Sequence, residues 1–120
     1  MKGLKRMSNI PFRSLTPALA VAPQLTADAM AEAARLGFKS VINNRPDFEA
    51  GPEQPTNAQI EAAALAAGLV YRFLPVAPTY QSPAEVAAFA DLLQELPQPV
   101  LAFCRSGTRS ARLYSAANSA

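Results

Sequence analysis

The chain has 120 residues, half of them hydrophobic, with a mean hydropathy of +0.06, which fits one globular domain with a core. Its net charge is +2 and its sequence pI is about 9.0, but no basic tract accompanies that balance, so we expect no nucleic-acid partner. No stretch approaches the length of a transmembrane span, and we expect no membrane partner either.

The cysteine and histidine content limits which disulfides, metal sites and catalytic pairs are possible. Cys104 is the single cysteine, which excludes an internal disulfide and a thiolate metal cluster. The lack of histidine excludes Cys-His and Ser-His catalytic pairs and histidine-based zinc sites. We therefore expect no metal. We expect no organic cofactor either, because covalent chemistry on a cysteine needs none. A lone reactive thiol suits a reduced, cytoplasmic setting. A signal peptide over the basic N-terminus is the alternative, but Pro11, Arg13 and Pro17 interrupt it.

Hydrophobic periodicity and breaker residues predict alternating strands and helices. The predicted strands cover residues 19–22, 39–43, 69–74 and 100–103. The predicted helices cover residues 27–36, 57–67, 83–95 and 106–118. Thr26, Thr56 and Ser82 are the predicted N-caps of the first three helices. We assign residues 1–16 to an N-terminal extension and residues 17–120 to a single domain whose abrupt end fits a longer natural protein.

This alternation predicts an α/β fold of three layers, in which helices flank a mainly parallel central sheet. Ligands on such sheets bind beyond the carboxyl ends of the strands. The loops that begin at Asn44, Pro75 and Cys104 follow three predicted strands, so we expect them to share one rim.

The most informative stretch is residues 104–110, Cys-Arg-Ser-Gly-Thr-Arg-Ser, between a predicted strand and a predicted helix. A glycine-containing turn at a helix start lets successive N–H groups converge, which binds anions and stabilises a thiolate. We predict Cys104 as the nucleophile and Arg109 as the catalytic arginine that holds an oxyanion. The predicted substrate contacts within the loop are Arg105, Ser106, Gly107, Thr108 and Ser110.

Two residues of the loop after the second predicted strand are further candidates. Arg45 could face the same rim and help to hold an anion, although a solvated arginine needs no function. Asp47 is the candidate general acid, and the alternative is a turn residue after Pro46. Residues 75–82 contain no acid, so no other loop acid is expected at the site.

Residues 104–109 resemble the six-residue active-site loop of rhodanese sulfurtransferases, cysteine-arginine-any-glycine-any-arginine or threonine. The cysteine phosphatase loop is similar but has five residues between cysteine and arginine, where this chain has four. More widely, the chain resembles the bacterial beta-lactamase-hydrolase-like, phosphatase-like domain family. That resemblance implies a fold like that of dual-specificity phosphatases, and it is carried by residues 18–26, 37–47, 66–71 and 74–76.

Loop length and the missing acid favour sulfur transfer over phosphate transfer. A shorter ring of amides encloses a smaller volume, and the lack of an acid slows the loss of an alkoxide by about 10²–10⁴-fold. We predict a sulfurtransferase that takes sulfane sulfur from thiosulfate or a persulfide, forms a Cys104 persulfide and passes the sulfur to a thiol acceptor. The alternatives are a phosphatase that cleaves a phosphate ester through a Cys104 phosphocysteine, and a non-catalytic module that senses oxidants or binds anions.

Overall fold

The computed structural model describes residues 10–118, which form a five-stranded sheet and four helices. The strands are β1 (Arg13–Thr16), β2 (Leu19–Ala22), β3 (Ser40–Asn43), β4 (Val70–Phe73) and β5 (Val100–Phe103). The helices are α1 (Asp28–Arg35), α2 (Asn57–Ala66), α3 (Pro83–Glu95) and α4 (Thr108–Ala117). The basic start of the sequence that prompted the signal-peptide alternative, residues 1–9, lies outside the described residues.

The sheet order is β1-β2-β5-β3-β4, with β2, β5, β3 and β4 parallel and β1 antiparallel at the edge. Strand β5 is central, and its first residue Val100 pairs with Leu19 on one side and Ser40 on the other. The predicted α/β fold with a mainly parallel sheet is therefore confirmed. The carboxyl ends of β2, β3 and β5 meet at one edge, which is where the cysteine loop begins.

Both faces of the sheet are covered, because alternate residues of each central strand enter opposite cores. Leu101 and Phe103 belong to the core under α1 and α2, whose buried helix residues are Met30, Ala33, Ile60 and Ala64. Val100 and Ala102 belong to the core under α3 and α4, where Phe89 and Leu113 are fully buried. This double burial explains why β5 is a continuous apolar run in the sequence.

Strand β1 was not among the predicted elements. Its sequence, Arg-Ser-Leu-Thr, holds one apolar residue, and it pairs with β2 as an exposed edge with a register shift between Ser14 and Thr16. An edge strand needs little hydrophobic alternation, so the sequence carries no clear signal. The boundary between residues 16 and 17 stays a prediction, although residues 13–16 are paired with the sheet.

The helix caps follow the prediction at two of three positions. Thr56 and Ser82 each form a capping box, with Gln59 and Glu85 respectively. The prediction for Thr26 is wrong: the residue that precedes α1 is Ala27, which has no side-chain cap, and Thr26 contributes only its carbonyl to the Ala29 N–H.

Candidate active site

Cys104 follows the last residue of β5, at the carboxyl edge of the sheet, and its side chain is only 1% exposed. Its backbone N–H donates to the Ala22 carbonyl at 3.3 Å, which ties the start of the loop to the end of β2. The Gly107 N–H donates to Cys104 Sγ at 3.1 Å. The thiol therefore lies at the N-terminus of α4, where a backbone donor already points at the sulfur.

Gly107 makes that contact possible. It is the N-cap of α4 and has a φ of +90°, in the left-handed region that side chains disfavour. A Cβ at this position would lie 3.4 Å from the Ala22 carbonyl carbon. The turn that returns an N–H to Sγ thus depends on glycine for its backbone angle. The same turn starts α4 at Thr108, two residues later than predicted.

Arg109 is the second residue of α4, and its side chain is 5% exposed. Nη1 donates to the Val76 carbonyl at 3.0 Å and to Glu49 Oε2 at 3.1 Å, while Nη2 donates to Glu49 Oε1 at 3.1 Å. Within residues 10–118, no hydrogen-bond partner is found for its buried Nε. The arginine therefore joins α4 to the loops after β3 and β4, and it keeps one buried donor unused.

Arg45 lies two residues beyond β3 and faces the same rim, with a side chain 7% exposed. Its Nε donates to Glu49 Oε1 at 2.9 Å, and its Nη1 donates to Gln24 Oε1 at 3.1 Å. Arg45 and Arg109 thus converge on one carboxylate. They line a cleft of about 340 Å³, which we call the arginine cleft and whose lining residues are Arg45, Glu49, Ala50, Pro78, Arg105 and Arg109.

Glu49 is the acid that contacts Arg45 and Arg109, and it was not among the predicted site residues. Burial works to raise the pKa of its carboxyl, but hydrogen bonds and charge from Arg109 and Arg45 outweigh burial and hold that pKa below its ordinary value. The expectation that no loop acid other than Asp47 is available is therefore wrong. The sequence feature that could have identified Glu49 is its position four residues after Arg45, on a loop predicted to reach the rim.

Asp47 is directed elsewhere. Its Oδ1 accepts the Asn57 N–H at 2.7 Å, at the first residue of α2, and it does not line the arginine cleft. This contact satisfies a free donor of the helix N-terminus. Asp47 also lies in a turn directly after Pro46, as the alternative has it. The carboxylates of Asp47 and Glu49 leave the same loop toward different partners.

The remaining loop residues divide into buried and exposed groups. Ser110 is fully buried, and its hydroxyl donates to Asn44 Oδ1 at 2.8 Å, so it braces the loop after β3. Ser106 and Thr108 are exposed, and their hydroxyls lie 3.2 Å apart. Arg105 is exposed at the mouth of the arginine cleft. The predicted common rim is confirmed, since Asn44 also donates from Nδ2 to the Leu74 carbonyl at 3.0 Å.

A polar chain behind Arg45 fixes the loop after β3. Asn43 accepts the Arg45 N–H on Oδ1 at 2.9 Å and donates from Nδ2 to the Tyr71 hydroxyl at 3.1 Å. That hydroxyl donates to Asn57 Oδ1 at 2.7 Å. Burial raises the pKa of Tyr71 to about 12, because the phenolate would be poorly solvated there. Tyr71 is thus a neutral donor in this chain.

No cluster of three or more His, Cys, Asp or Glu side chains that could hold a metal occurs in the part of the chain described. None of the helices α1 to α4 is long and apolar enough to cross a membrane.

Comparison with solved structures shows the same fold in several proteins. A presumed phosphatase from Neisseria meningitidis is 35% identical, with a TM-score of 0.79 over 91% of this chain and 75% of that one. A presumed phosphatase from Shewanella putrefaciens is 20% identical, with a TM-score of 0.74 over 88% of this chain and 66% of that one. TpbA of P. aeruginosa, solved as a cysteine-to-serine variant with phosphotyrosine, is 21% identical, with a TM-score of 0.65 over 92% of this chain and 63% of that one.

Comparison with sequence relatives identifies the family. The beta-lactamase hydrolase-like protein of Xylella fastidiosa is 42% identical over 97 residues, which are 81% of this chain and 22% of that protein. Its namesake from Agrobacterium fabrum is 43% identical over 98 residues, 82% of this chain and 21% of that protein. This chain thus spans about a fifth of these relatives. The family model for the phosphatase-like domain of beta-lactamase hydrolase-like proteins matches residues 11–120, and the chain belongs to that family.

Proposed function

We propose that the protein is a cysteine-dependent phosphatase that cleaves small phosphate esters through a Cys104 phosphocysteine. The observation that carries this proposal is the buried Arg109 guanidinium, five residues beyond a buried cysteine whose sulfur faces the N-terminus of α4. A buried arginine with an unused Nε is suited to a ligand that brings several oxygen acceptors. The phosphatase-like family and the 35% identical presumed phosphatase support the same chemistry.

The reaction has two steps. The Cys104 thiolate attacks phosphorus, the ester P–O bond breaks, and the leaving oxygen takes a proton. Water then attacks the phosphocysteine and the P–S bond breaks. Inorganic phosphate is released, and the Cys104 thiolate is regenerated. Arg109 and the N–H groups of residues 105–109 are the proposed donors to the non-bridging oxygens. Arg105 and Arg45 add positive charge at the mouth, and a small anionic phosphate ester is the proposed substrate.

Aryl phosphates are the first substrates to test. TpbA, which shares the fold, was solved with phosphotyrosine. Aryl leaving groups also need less help from an acid than alkyl groups do. Asp47 is a weak candidate for the acid, because its carboxylate is bonded to the start of α2.

Sulfur transfer remains the second candidate, because four residues separate Cys104 from Arg109 and because residues 75–82 hold no acid. The phosphatase-like family and the 35% identical presumed phosphatase do not support sulfur transfer, and they agree better with the phosphatase alternative. Thiosulfate or a persulfide and a thiol acceptor would be its partners. A redox or anion sensor is the third candidate, and the reduced cytoplasmic setting stays a prediction from the lone thiol.

Parallel assays of one preparation separate these candidates. Aryl phosphate hydrolysis and thiosulfate-to-cyanide sulfur transfer would be measured for the wild type and for Cys104→Ser. We expect phosphate release that the serine variant lacks, with sulfur transfer at background. Sulfur transfer without phosphate release would overturn the proposal in favour of the second candidate, and the lack of both activities would favour the third.

A further inference from the structure

The guanidinium of Arg109 has five N–H groups, and three of them already have acceptors. Glu49 accepts one N–H of Nη1 and one of Nη2, each at 3.1 Å, and the Val76 carbonyl accepts the other N–H of Nη1 at 3.0 Å. Within residues 10–118, the Nε–H and the second Nη2–H remain without an acceptor. These two N–H groups lie side by side along one edge of the planar group, which we call the free edge.

The free edge of Arg109 suits two oxygens of a phosphoryl group, because two parallel N–H donors match two oxygens of a tetrahedral anion. Nε is the guanidinium nitrogen that is closest along the side chain to the backbone of α4. The N-terminus of that helix is where the Gly107 N–H donates to Cys104 Sγ. Glu49 holds the outer edge, formed by Nη1 and Nη2, so the carboxylate and an oxyanion can contact Arg109 at the same time.

Glu49 is itself held by a series of contacts that returns to the cysteine loop. Its Oε1 also accepts from Arg45 Nε at 2.9 Å, and Arg45 Nη1 donates to Gln24 Oε1 at 3.1 Å. The backbone N–H of Gln24 donates to the Arg105 carbonyl at 3.2 Å. These contacts close a ring through the loops after β2 and β3, the cysteine loop and α4. A carboxylate that accepts from two anchored arginines has little freedom to move away from Arg109.

The turn that precedes Glu49 is energetically unfavourable. Phe48 has a φ of +61° although it is not glycine, and its side chain is 61% exposed. An exposed ring gains little from packing that would offset this conformation. Buried Gln54 closes the turn, accepting the Ala50 N–H at 2.9 Å and donating to the Pro46 carbonyl at 2.8 Å. The strained turn therefore fixes the backbone from which the Glu49 carboxylate reaches the site.

We propose that Glu49 is a positioning residue of the phosphatase reaction, which holds the outer edge of Arg109 so that the free edge receives the phosphoryl oxygens. This inference rests on the proposed function. Glu49 contacts no reacting atom in this role and acts only through Arg109. The donors are oriented before the substrate arrives, so the transition state requires no reorganisation of the arginine. One carboxylate among the three arginines of the arginine cleft also leaves net positive charge for the anion.

The first test is hydrolysis of p-nitrophenyl phosphate by Glu49→Gln. A carboxamide keeps the size of the side chain, but it offers one oxygen and turns an NH₂ group toward an arginine donor, so the fork is lost. We expect kcat/KM to fall by about 10–10²-fold, mainly through kcat, because Arg109 is no longer oriented. Glu53→Gln is the matched control, an exposed glutamate of the same loop outside the arginine cleft. An unchanged rate in Glu49→Gln, or an equal loss in both variants, would overturn the proposal.

Glu49→Asp separates geometry from charge, and it serves as the second variant if urea unfolding shows that Glu49→Gln is not folded. Aspartate keeps the negative charge but shortens the side chain by one methylene, so its carboxylate cannot hold both Nη1 and Nη2 of Arg109 from the same backbone. We expect a loss of at least about tenfold in kcat. Activity equal to that of the wild type would show that charge alone is needed and would overturn the proposal.

A double-mutant cycle shows whether Glu49 acts through Arg109. A lysine at position 109 has no second edge to orient, so Glu49→Gln should cause no further loss of rate in the Arg109→Lys background. The same 10–10²-fold loss in both backgrounds would indicate a role that is independent of Arg109 and would overturn the proposal.

Binding of inorganic phosphate, measured by calorimetry, is a readout without turnover. We expect Glu49→Gln to bind phosphate about tenfold more weakly than the wild type, with little change in Glu53→Gln. Tighter binding in Glu49→Gln would mean that the carboxylate competes with the oxyanion, and it would overturn the proposal.

The two proposals fail in different ways. If the wild type does not hydrolyse p-nitrophenyl phosphate, the phosphatase proposal fails and the role of Glu49 in that reaction fails with it. If the wild type hydrolyses the ester and Glu49→Gln does so at the same rate, only the role of Glu49 fails.

Discussion

The hydroxyl of Ser110 donates a hydrogen bond of 2.8 Å to Oδ1 of Asn44, across 66 positions of sequence. Both residues are fully buried. Asn44 in turn donates to the Leu74 carbonyl, so one side chain connects α4 with the loops after β3 and β4. This contact holds together the rim that carries Cys104, Arg45 and Arg109.

Ser110→Ala should therefore destabilise the fold by about 1–3 kcal/mol, because the Asn44 oxygen would lose a donor in a buried site. Urea unfolding measures the loss. A double-mutant cycle with Asn44→Ala separates the bond from the change in helix propensity. A coupling energy near zero would show that the bond contributes no net stability.

Gly107→Ala should impair both stability and activity. The left-handed φ costs an alanine about 1–2 kcal/mol, and the new Cβ would contact the Ala22 carbonyl carbon at 3.4 Å, beside the turn that directs the Gly107 N–H to Sγ. Gly37→Ala is the comparison, because Gly37 has a φ of +102° but open space around it and precedes β3 at the other end of the strand. Both variants should lose stability, and only Gly107→Ala should lose aryl phosphatase activity. Retained activity in Gly107→Ala would contradict the role given to its N–H.

Arg109→Lys should reduce aryl phosphate hydrolysis by about 10²–10³-fold, because a lysine cannot present the planar fork that holds two oxygens. Steady-state kinetics would measure the loss in kcat/KM. Arg112→Lys makes the same change on an exposed position of α4 and should leave the rate near that of the wild type. Similar losses in both variants would mean that general positive charge, and not the Arg109 fork, carries the effect.

Glu49 makes the stability of the protein depend on pH in a defined direction. The pKa of its carboxyl is lowered in the folded state, so its contribution is present above the ordinary value of 4.5 and is lost as the pH falls through the lower folded pKa. The difference in unfolding free energy between wild type and Glu49→Gln should stay constant from neutral pH to about pH 5 and then shrink. A difference that grows on acidification would contradict the ion pairs.

Tyr71 makes the stability of the protein fall as the pH rises in the alkaline range. Its pKa is raised to about 12 in the folded protein, against 10.0 for an ordinary tyrosine, so the folded state keeps the phenolic proton longer. Its contribution to stability is complete below pH 10 and is lost as the pH rises toward 12. The phenolate absorbance that Tyr71→Phe lacks should therefore be centred near pH 12. A midpoint near pH 10 would show that the hydroxyl is solvated.

Local sequence signals predicted much of the fold and the cysteine loop of the candidate site. Strand β5 is apolar throughout because both of its faces are buried, and the cysteine loop is contiguous, so Cys104, Gly107 and Arg109 could be recognised together. Glu49 could not, because its contact with Arg109 spans 60 positions and depends on a left-handed φ at Phe48. The turn at Phe48 directs Asp47 toward α2 and Glu49 toward Arg109. A phenylalanine in the sequence does not predict a left-handed φ.

The covalent adduct that forms on Cys104 distinguishes phosphoryl transfer from sulfur transfer. The protein would be mixed with an excess of aryl phosphate or, in a parallel sample, with thiosulfate, and both would be quenched rapidly. Mass spectrometry of the peptide that contains Cys104 would then identify the adduct. We expect a phosphoryl group on the sulfur after the aryl phosphate and no persulfide after thiosulfate. A Cys104 persulfide after thiosulfate, with no phosphoryl adduct, would contradict the phosphatase proposal.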